Sequence, residues 1–322
     1  MLITLRQIEY VVQVAQCGSI SAASRQLRIS QSSVLAAIEL AEETSGIRVF
    51  DRQKGRGIAI TPAGQKFLLA ARRFLSAGVD FCASLDGLVD VDKQTIRIGC
   101  FSPLGALLIP PVAKRMLADH PGTEFILYEG DQVELRNLLM QGMLDVVVTY
   151  DIGEEYGRAT TLICKCPAHA LLHCDDHLAK RTSVSMDELS DRPLVLLDLP
   201  ETRTYLMALF DRSARRPKLS LRTRSYETLR AAVVNGLGIS LLNFKPNYES
   251  SPDAPQLRRI PISDPLKHPT LLVADPYGDN KPAYVKAFIS SIHQYITELG
   301  PDNFSVCTPE FSKDMIYPKP NF

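Results

Sequence analysis

Apolar positions return at helical spacing along the N-terminal stretch, in three separate stripes. Leu5, Ile8, Val11, Val12 and Ala15 form the first, Ala22, Ala23 and Leu27 the second, and Val34, Ile38 and Ala41 the third. The pattern predicts one helix from about Thr4 to Gln16, a short one behind Ser19, and one after Ser30 that stops near Gly46. Cys17-Gly18 ends the first, while Ser19 and Ser30 stand where N-caps belong, each hydroxyl able to take an orphan amide. Arg28-Ile29-Ser30 is then a three-residue break. Short helices joined so tightly cross steeply, which is helix-turn-helix geometry. With the third stripe inward, Ser32, Ser33, Leu35 and Ala36 face outward, a small and nearly uncharged surface that fits close against a groove.

The period then changes. "IRVFDRQKGRGIAITPAG" alternates apolar residues on either side of a basic, glycine-containing tip, Arg52 to Gly57. This predicts a β-hairpin, the wing of a winged helix-turn-helix, with Arg52, Lys54 and Arg56 placed to meet a phosphate backbone or a minor groove. Thr61-Pro62 opens a long helix to about Val89, the proline at a first position where its missing N–H costs nothing. Phe67, Phe74, Phe81 and Leu88 recur along it every seven residues, as in a coiled-coil seam. The three helices and hairpin make a complete head without this helix, so it is expected to pair two copies of the chain.

From Thr95 the texture is α/β. "TIRIGCF", "EFILYEGD" and "LDVVVTY" read as strands, with helices over "LGALLIPPVAKRMLADHPG" and "QVELRNLLMQGM" between them. Such alternation predicts a parallel sheet wound by right-handed crossovers. A second region follows Asp151: strands at "HALLHC", "RPLVLLD", "LSLRTRS" and "GISLLNF", and helices from about Glu201 to Ser213 and Tyr226 to Asn235. "TLLVAD" and a helix from Ala283 to Leu299 return toward the first region. Two α/β lobes crossed twice by the chain enclose a ligand cleft facing strand C-termini. The Pro-rich, aperiodic segment from Gly300 is expected to be extended or disordered. The domain plan is therefore 1–61 head, 62–92 linker and dimerisation helix, 93–299 effector domain of two lobes, and 300–322 tail.

Charge sharpens this plan. The 322-residue chain has no formal net charge, but residues 1–75 carry ten Lys/Arg against five Asp/Glu. A basic head on an acidic body is the asymmetry of a nucleic-acid-binding module joined to something else. Seven cysteines spread along the chain, an odd number, suit free thiols in a reducing compartment. No apolar run approaches the ~18 residues needed to span a bilayer, and the N-terminus has no signal-peptide pattern, so a cytoplasmic protein with no membrane partner is expected.

These pieces together resemble the LysR-type transcriptional regulators along nearly the whole chain up to the tail. "LRQIEYVVQVAQCGSISAASRQLRISQSSV" and "GIRVFDRQKGRGIAITPAG" carry the likeness, with "IRIGCF" and "AAVVNGLGISLL" adding to it. The resemblance implies an all-α winged helix-turn-helix, a linker helix, and an α/β effector domain like a type 2 periplasmic binding protein. It implies sequence-specific binding to double-stranded DNA, self-association as dimer or tetramer, and control by a small-molecule effector, with RNA polymerase a candidate partner. Arg28, Ser30, Gln31, Ser32, Ser33, Leu35 and Ala36 would then meet DNA together with the wing residues. Leu35 and Ala36 stand where such proteins often carry a hydroxyl and a polar or basic residue, so apolar contact replaces hydrogen bonding there. The strand-end rule and the likeness together put Ser102, Pro103, Glu129, Thr149, Thr202 and Arg203 at the cleft, with a surface pair to Asp198 or Glu201 as the alternative for Arg203. Ser102, Arg203 and helix N-terminal amides favour a carboxylate effector.

Other chemistry is less well supported. Cys164, Cys166, His169, His173, Cys174 and His177 crowd together, which invites a metal reading. If His169 to Cys174 is a strand, however, His169 and His173 share one face and Cys174 points to the other. No metal and no cofactor are expected. "GLG" at 236–238 lacks the strand-before, helix-after setting of a dinucleotide loop, and no nucleophile elbow or phosphate-binding lysine motif is present. An enzyme on a two-lobed fold, or a small-molecule-binding protein without DNA regulation, are the alternatives to the regulator.

Overall fold

The computed structural model describes residues 3–53, 57–86, 94–157, 160–246, 256–312 and 314–322. The chain divides into a first unit, Met1–Gln94 with Met140–Met143, and a second formed by Thr95–Leu139 and Leu144–Phe322. No described helix is long and apolar enough to cross a membrane.

In the first unit α1 (Leu5–Cys17) starts at Thr4, whose hydroxyl accepts from the Gln7 amide while the Gln7 side chain takes the Thr4 amide. Gly18, left-handed at φ 62°, ends it. Ser19 caps α2 (Ile20–Leu27) and Ser30 caps α3 (Gln31–Ser45). Between them Arg28 takes a left-handed conformation at φ 55°, unusual for a side-chain-bearing residue, and so turns the chain sharply. The wing pairs β1 (Phe50–Gln53) with β2 (Gly57–Ile60), antiparallel, Phe50 opposite Ile60 and Gln53 opposite Gly57. Glu42 of α3 anchors it by accepting from the Val49 and Phe50 amides at 2.7 and 3.1 Å.

The long helix α4 (Pro62–Asp86) begins at Thr61, whose hydroxyl accepts from the Gly64 amide and donates to the Arg48 carbonyl. At Gly64 the helix meets the residue just before β1 so closely that a Cβ would lie 2.1 Å from the Val49 carbonyl oxygen. Leu68 and Ala71 are buried in the same core as Val11, Val34, Ile38 and Phe50. The head is therefore not complete without α4. A three-helix head with a short hairpin leaves one side of its small core open, and the first turns of α4 close it.

The second unit is built on a five-stranded sheet in the order β4-β3-β5-β12-β6. Its strands are β3 (Gln94–Phe101), β4 (Thr123–Gly130), β5 (Val146–Tyr150), β6 (Thr160–Lys165) and β12 (Thr270–Ala274). Helices α5 (Ser102–Asp119) and α6 (Gln132–Met140) connect the first three strands, and α10 (Ala283–Leu299) packs along α5. β3 and β5 are parallel, but β12 is antiparallel to both β5 and β6. The expected all-parallel sheet is thus mixed, because the strand that returns from the second lobe enters from the opposite end.

That second lobe has a three-stranded sheet, β10-β7-β11, and a parallel pair, β8-β9. The strands are β7 (His169–His173), β8 (Leu194–Leu197), β9 (Leu219–Thr223), β10 (Ser240–Leu242) and β11 (Leu257–Pro261), with helices α7 (Met186–Ser190), α8 (Pro200–Ala208) and α9 (Tyr226–Val234).

The tail departs from expectation. A short helix, α11 (Pro301–Phe304), buries Phe304 against Phe244 with nearly parallel rings. Ile316 then pairs antiparallel with Cys164, the Lys165 amide donates to the Met315 carbonyl, and the Tyr317 amide to the Ile163 carbonyl. The segment from Gly300 is docked because two widely spaced apolar residues, Phe304 and Met315, find buried places on the domain.

Candidate functional sites

The candidate reading face of the head is the N-terminal part of α3. Gln31, Ser32, Ser33 and Ala36 are exposed there, Leu35 is half-buried, and Arg28 is exposed beside them. The Ser30 hydroxyl accepts from the Ser33 amide and sits 2.8 Å from the hydroxyls of both Ser32 and Ser33. No acid lies in this turn, and Glu39, Glu42 and Glu43 follow only in later turns. The positive end of the helix dipole and a carboxylate-free polar surface coincide, a combination that favours a polyanion. Of the wing tip, the Arg52 backbone pairs with Ile58, while Lys54 and Arg56 lie outside the described residues. On α4, Phe67 rests against the head core, Phe74 and Phe81 are more than half exposed, and Leu88 lies outside the described residues.

Between the two lobes of the second unit lies a cavity of about 30 Å³, lined mainly by apolar and aromatic side chains including Phe101, Leu107, Tyr150 and Phe244, with Thr202 and Asn243 as polar members. That volume holds a water or two. At its mouth an open groove of about 400 Å³ runs past Ser102, Pro103, Arg224 and Tyr226. The first turn of α5 has no side-chain cap, so its amides are presented at Ser102 and beyond.

Hydrogen bonds and ion pairs hold the lobes together. Gln132 of α6 bonds Thr202 of α8 at 3.2 Å. The Arg136 guanidinium donates to both Glu201 oxygens at 2.9 Å and to the Glu154 carbonyl, and lies over the Tyr156 ring. Burial pulls the Arg136 pKa down, yet Glu201 outweighs it and the net shift is upward. Arg224 bridges to Asp131 and Glu134, each at 3.1 Å. The Asp131 amide, with Arg224 beside it, holds the Glu134 carboxyl below its usual range. Behind the cleft, burial and then Arg259 drive the His169 pKa well down. Arg259 donates to Nε2 of His169 at 2.9 Å, so that ring is neutral with its proton on Nδ1.

The six cleft residues read from the sequence are only partly brought together. Ser102 and Pro103 line the groove, and Pro103 and Thr202 line the cavity. Glu129 borders a different groove, between β4 and α6, with its carboxylate against Gly105 of α5. Thr149 is fully buried in β5. Arg203 is bound to Asp198, which also takes Arg222. Burial raises the Asp198 pKa, but the two guanidiniums outweigh it and lower it overall. Sequence reasoning missed Gln132, Arg224, Tyr226 and Asn243. Asn243 follows β10 directly, so the strand-end rule reaches it.

The comparisons agree with this architecture. Residues 5–65 match the bacterial regulatory helix-turn-helix family model of the lysR type, and residues 90–297 match the LysR substrate binding domain. The HTH-type transcriptional regulator CfxR of Cupriavidus necator is 28% identical over 75% of this chain and 76% of its own. The dual regulator GltC of Bacillus subtilis is 24% identical over 92% of this chain and 98% of its own. Among solved structures, HinK, a LysR family regulator of Pseudomonas aeruginosa, aligns with a TM-score of 0.56 at 27% identity, covering 91% of this chain and 98% of that one. The relatives are regulators rather than enzymes, and a DNA-binding head is joined here to an effector-binding domain. The chain belongs to the LysR family of transcriptional regulators.

Proposed function

We propose that the first turn of α3 enters the major groove of double-stranded DNA, with Gln31, Ser32, Ser33, Leu35 and Ala36 toward the bases and Arg28 and the wing toward phosphates. The exposure of this turn, with no acid in it, supports the reading. Gln31 pairs with adenine, while Leu35 and Ala36 offer apolar contact to thymine methyls, so the preferred site is AT-rich and imperfectly palindromic. Two heads act together in the cytoplasm, joined through α4 as a dimer within a tetramer, with RNA polymerase as a further partner.

The effector is a small carboxylate with an apolar body. The uncapped first turn of α5 facing Arg224, at the mouth of an apolar cavity, carries this part. The charged end competes with Asp131 and Glu134 for Arg224 while the body opens the cavity, so the effector acts on the contacts between the lobes. A thermal-shift screen of small carboxylates against their amides tests it. Stabilisation by acids that their amides do not match is expected, and stabilisation by amines or by neutral compounds alone would refute it. A gel-shift salt series on the gene's upstream DNA tests the head: affinity should fall steeply with salt.

A further inference from the structure

β7 ends at His173, and the chain turns at once through Cys174 and Asp175 before a 3-10 turn at His177–Lys180. Cys174 is therefore not on the opposite face of a strand from His173, and the strand-face argument against a metal here no longer applies. One donor atom from each of His173, Cys174 and Asp175 lies within 4.8 Å of the other two.

We propose that this turn binds a divalent transition-metal ion of the zinc or cobalt type, with His173 Nδ1, the Cys174 thiolate and the Asp175 carboxylate as its three protein ligands. The spacing carries the proposal. Bonds of about 2.3 Å to sulfur and about 2.0–2.2 Å to nitrogen and oxygen, at tetrahedral angles, separate ligand nitrogen from oxygen by about 3.4 Å and sulfur from oxygen by about 3.6 Å. His173 Nδ1 is 3.6 Å from Asp175 Oδ2, and Cys174 Sγ is 3.7 Å from Asp175 Oδ1. Each of the other two donors thus stands at about ligand spacing from one oxygen of the same exposed carboxylate, and a turn of that carboxylate brings a single oxygen toward both.

The Asp175 amide donates to Nδ1 of His173 at 3.2 Å, so the lone pair a metal would take is engaged by that amide, and binding must displace this one hydrogen bond. On binding, the ion takes that lone pair and replaces the thiol proton of Cys174, which leaves to solvent. A sulfur, a nitrogen and an oxygen together suit a borderline ion, whereas calcium and magnesium call for oxygen alone. The Asp175 side chain is 87% exposed, which leaves the fourth corner to water. Neighbouring Asp176 is committed elsewhere, to Arg192 and to the Leu178 amide.

The test is a cobalt(II) titration of the full chain, purified through a chelator, followed by displacement with zinc. One cobalt per chain is expected, with a thiolate-to-cobalt charge-transfer band that zinc abolishes. Cys174→Ser should remove the band, and Asp175→Asn, at an exposed position where folding is not at stake, should weaken binding at least tenfold. Cys17→Ser and Cys307→Ser should leave both unchanged. Absence of the band in the wild-type chain, its survival in Cys174→Ser, or undiminished affinity in Asp175→Asn would each overturn the proposal.

Discussion

At Gly64 a single hydrogen separates the first turn of α4 from the Val49 carbonyl. Alanine is the better helix former by about 1 kcal/mol, but overpacking against backbone costs about 1–3 kcal/mol and no rotamer relieves it. Gly64→Ala should therefore lower the stability of the head, read as an earlier urea midpoint for that unit. His169 makes a second residue-scale prediction. Its folded pKa is depressed, so the stability it contributes is present above the ordinary imidazole value and is lost as pH falls below it. Between pH 6.5 and 5.5 the second unit should lose up to about 1 kcal/mol through this group, a loss that His169→Asn largely abolishes in urea unfolding at the two pH values. Ser19, Ser30 and Gly18 were legible in the sequence because caps are local chemistry. The Arg203–Asp198 pair was legible as one of two settings for Arg203, being close in sequence, but the second claim on Asp198, by Arg222 of β9, was not.

Among elements, α4 shows how far periodicity reads. Its heptad phenylalanines were visible, but the stripe beside them, Leu68 and Ala71, serves the head instead. Phe67 belongs to both settings, whereas Phe74 points away from the head core and is 53% exposed. Phe74→Glu should accordingly leave the head folded, by circular dichroism, while reducing dimer content in sedimentation and abolishing specific gel-shifts. A variant that stays dimeric and binds normally would limit α4 to packing within its own chain. Strands β6 and β11 escaped the pattern for a related reason. "LRRIP" carries two arginines and a proline, and its strand character comes from pairing with β7 rather than from its own alternation. The helices α8 and α9 were legible, yet their approach to α6 depends on pairs such as Gln132–Thr202, seventy residues apart in sequence.

Across the whole molecule, the effector domain is held closed by charges that are largely out of water. Arg136 and Glu201 have side chains 9% and 14% exposed, so removing either strands its partner at a cost of about 3–5 kcal/mol. Replacing both, as in Arg136→Met with Glu201→Leu, should cost less than either single change to alanine, measured as urea midpoints in a double-mutant cycle. The docked tail has a different consequence. β6 is an outer strand of the five-stranded sheet, and Met315 to Tyr317 occupy part of its open side. An uncovered strand offers unpaired amides and carbonyls as a template for a neighbouring chain. A protein cut after Ser305, which keeps Phe304 on Phe244 and removes the stretch along β6, should keep its head and its cleft and yet turn sticky, gathering into concentration-dependent aggregates that light scattering detects. The last residues, none of which lines the cavity between the lobes, would then serve as the molecule's guard against its own copies.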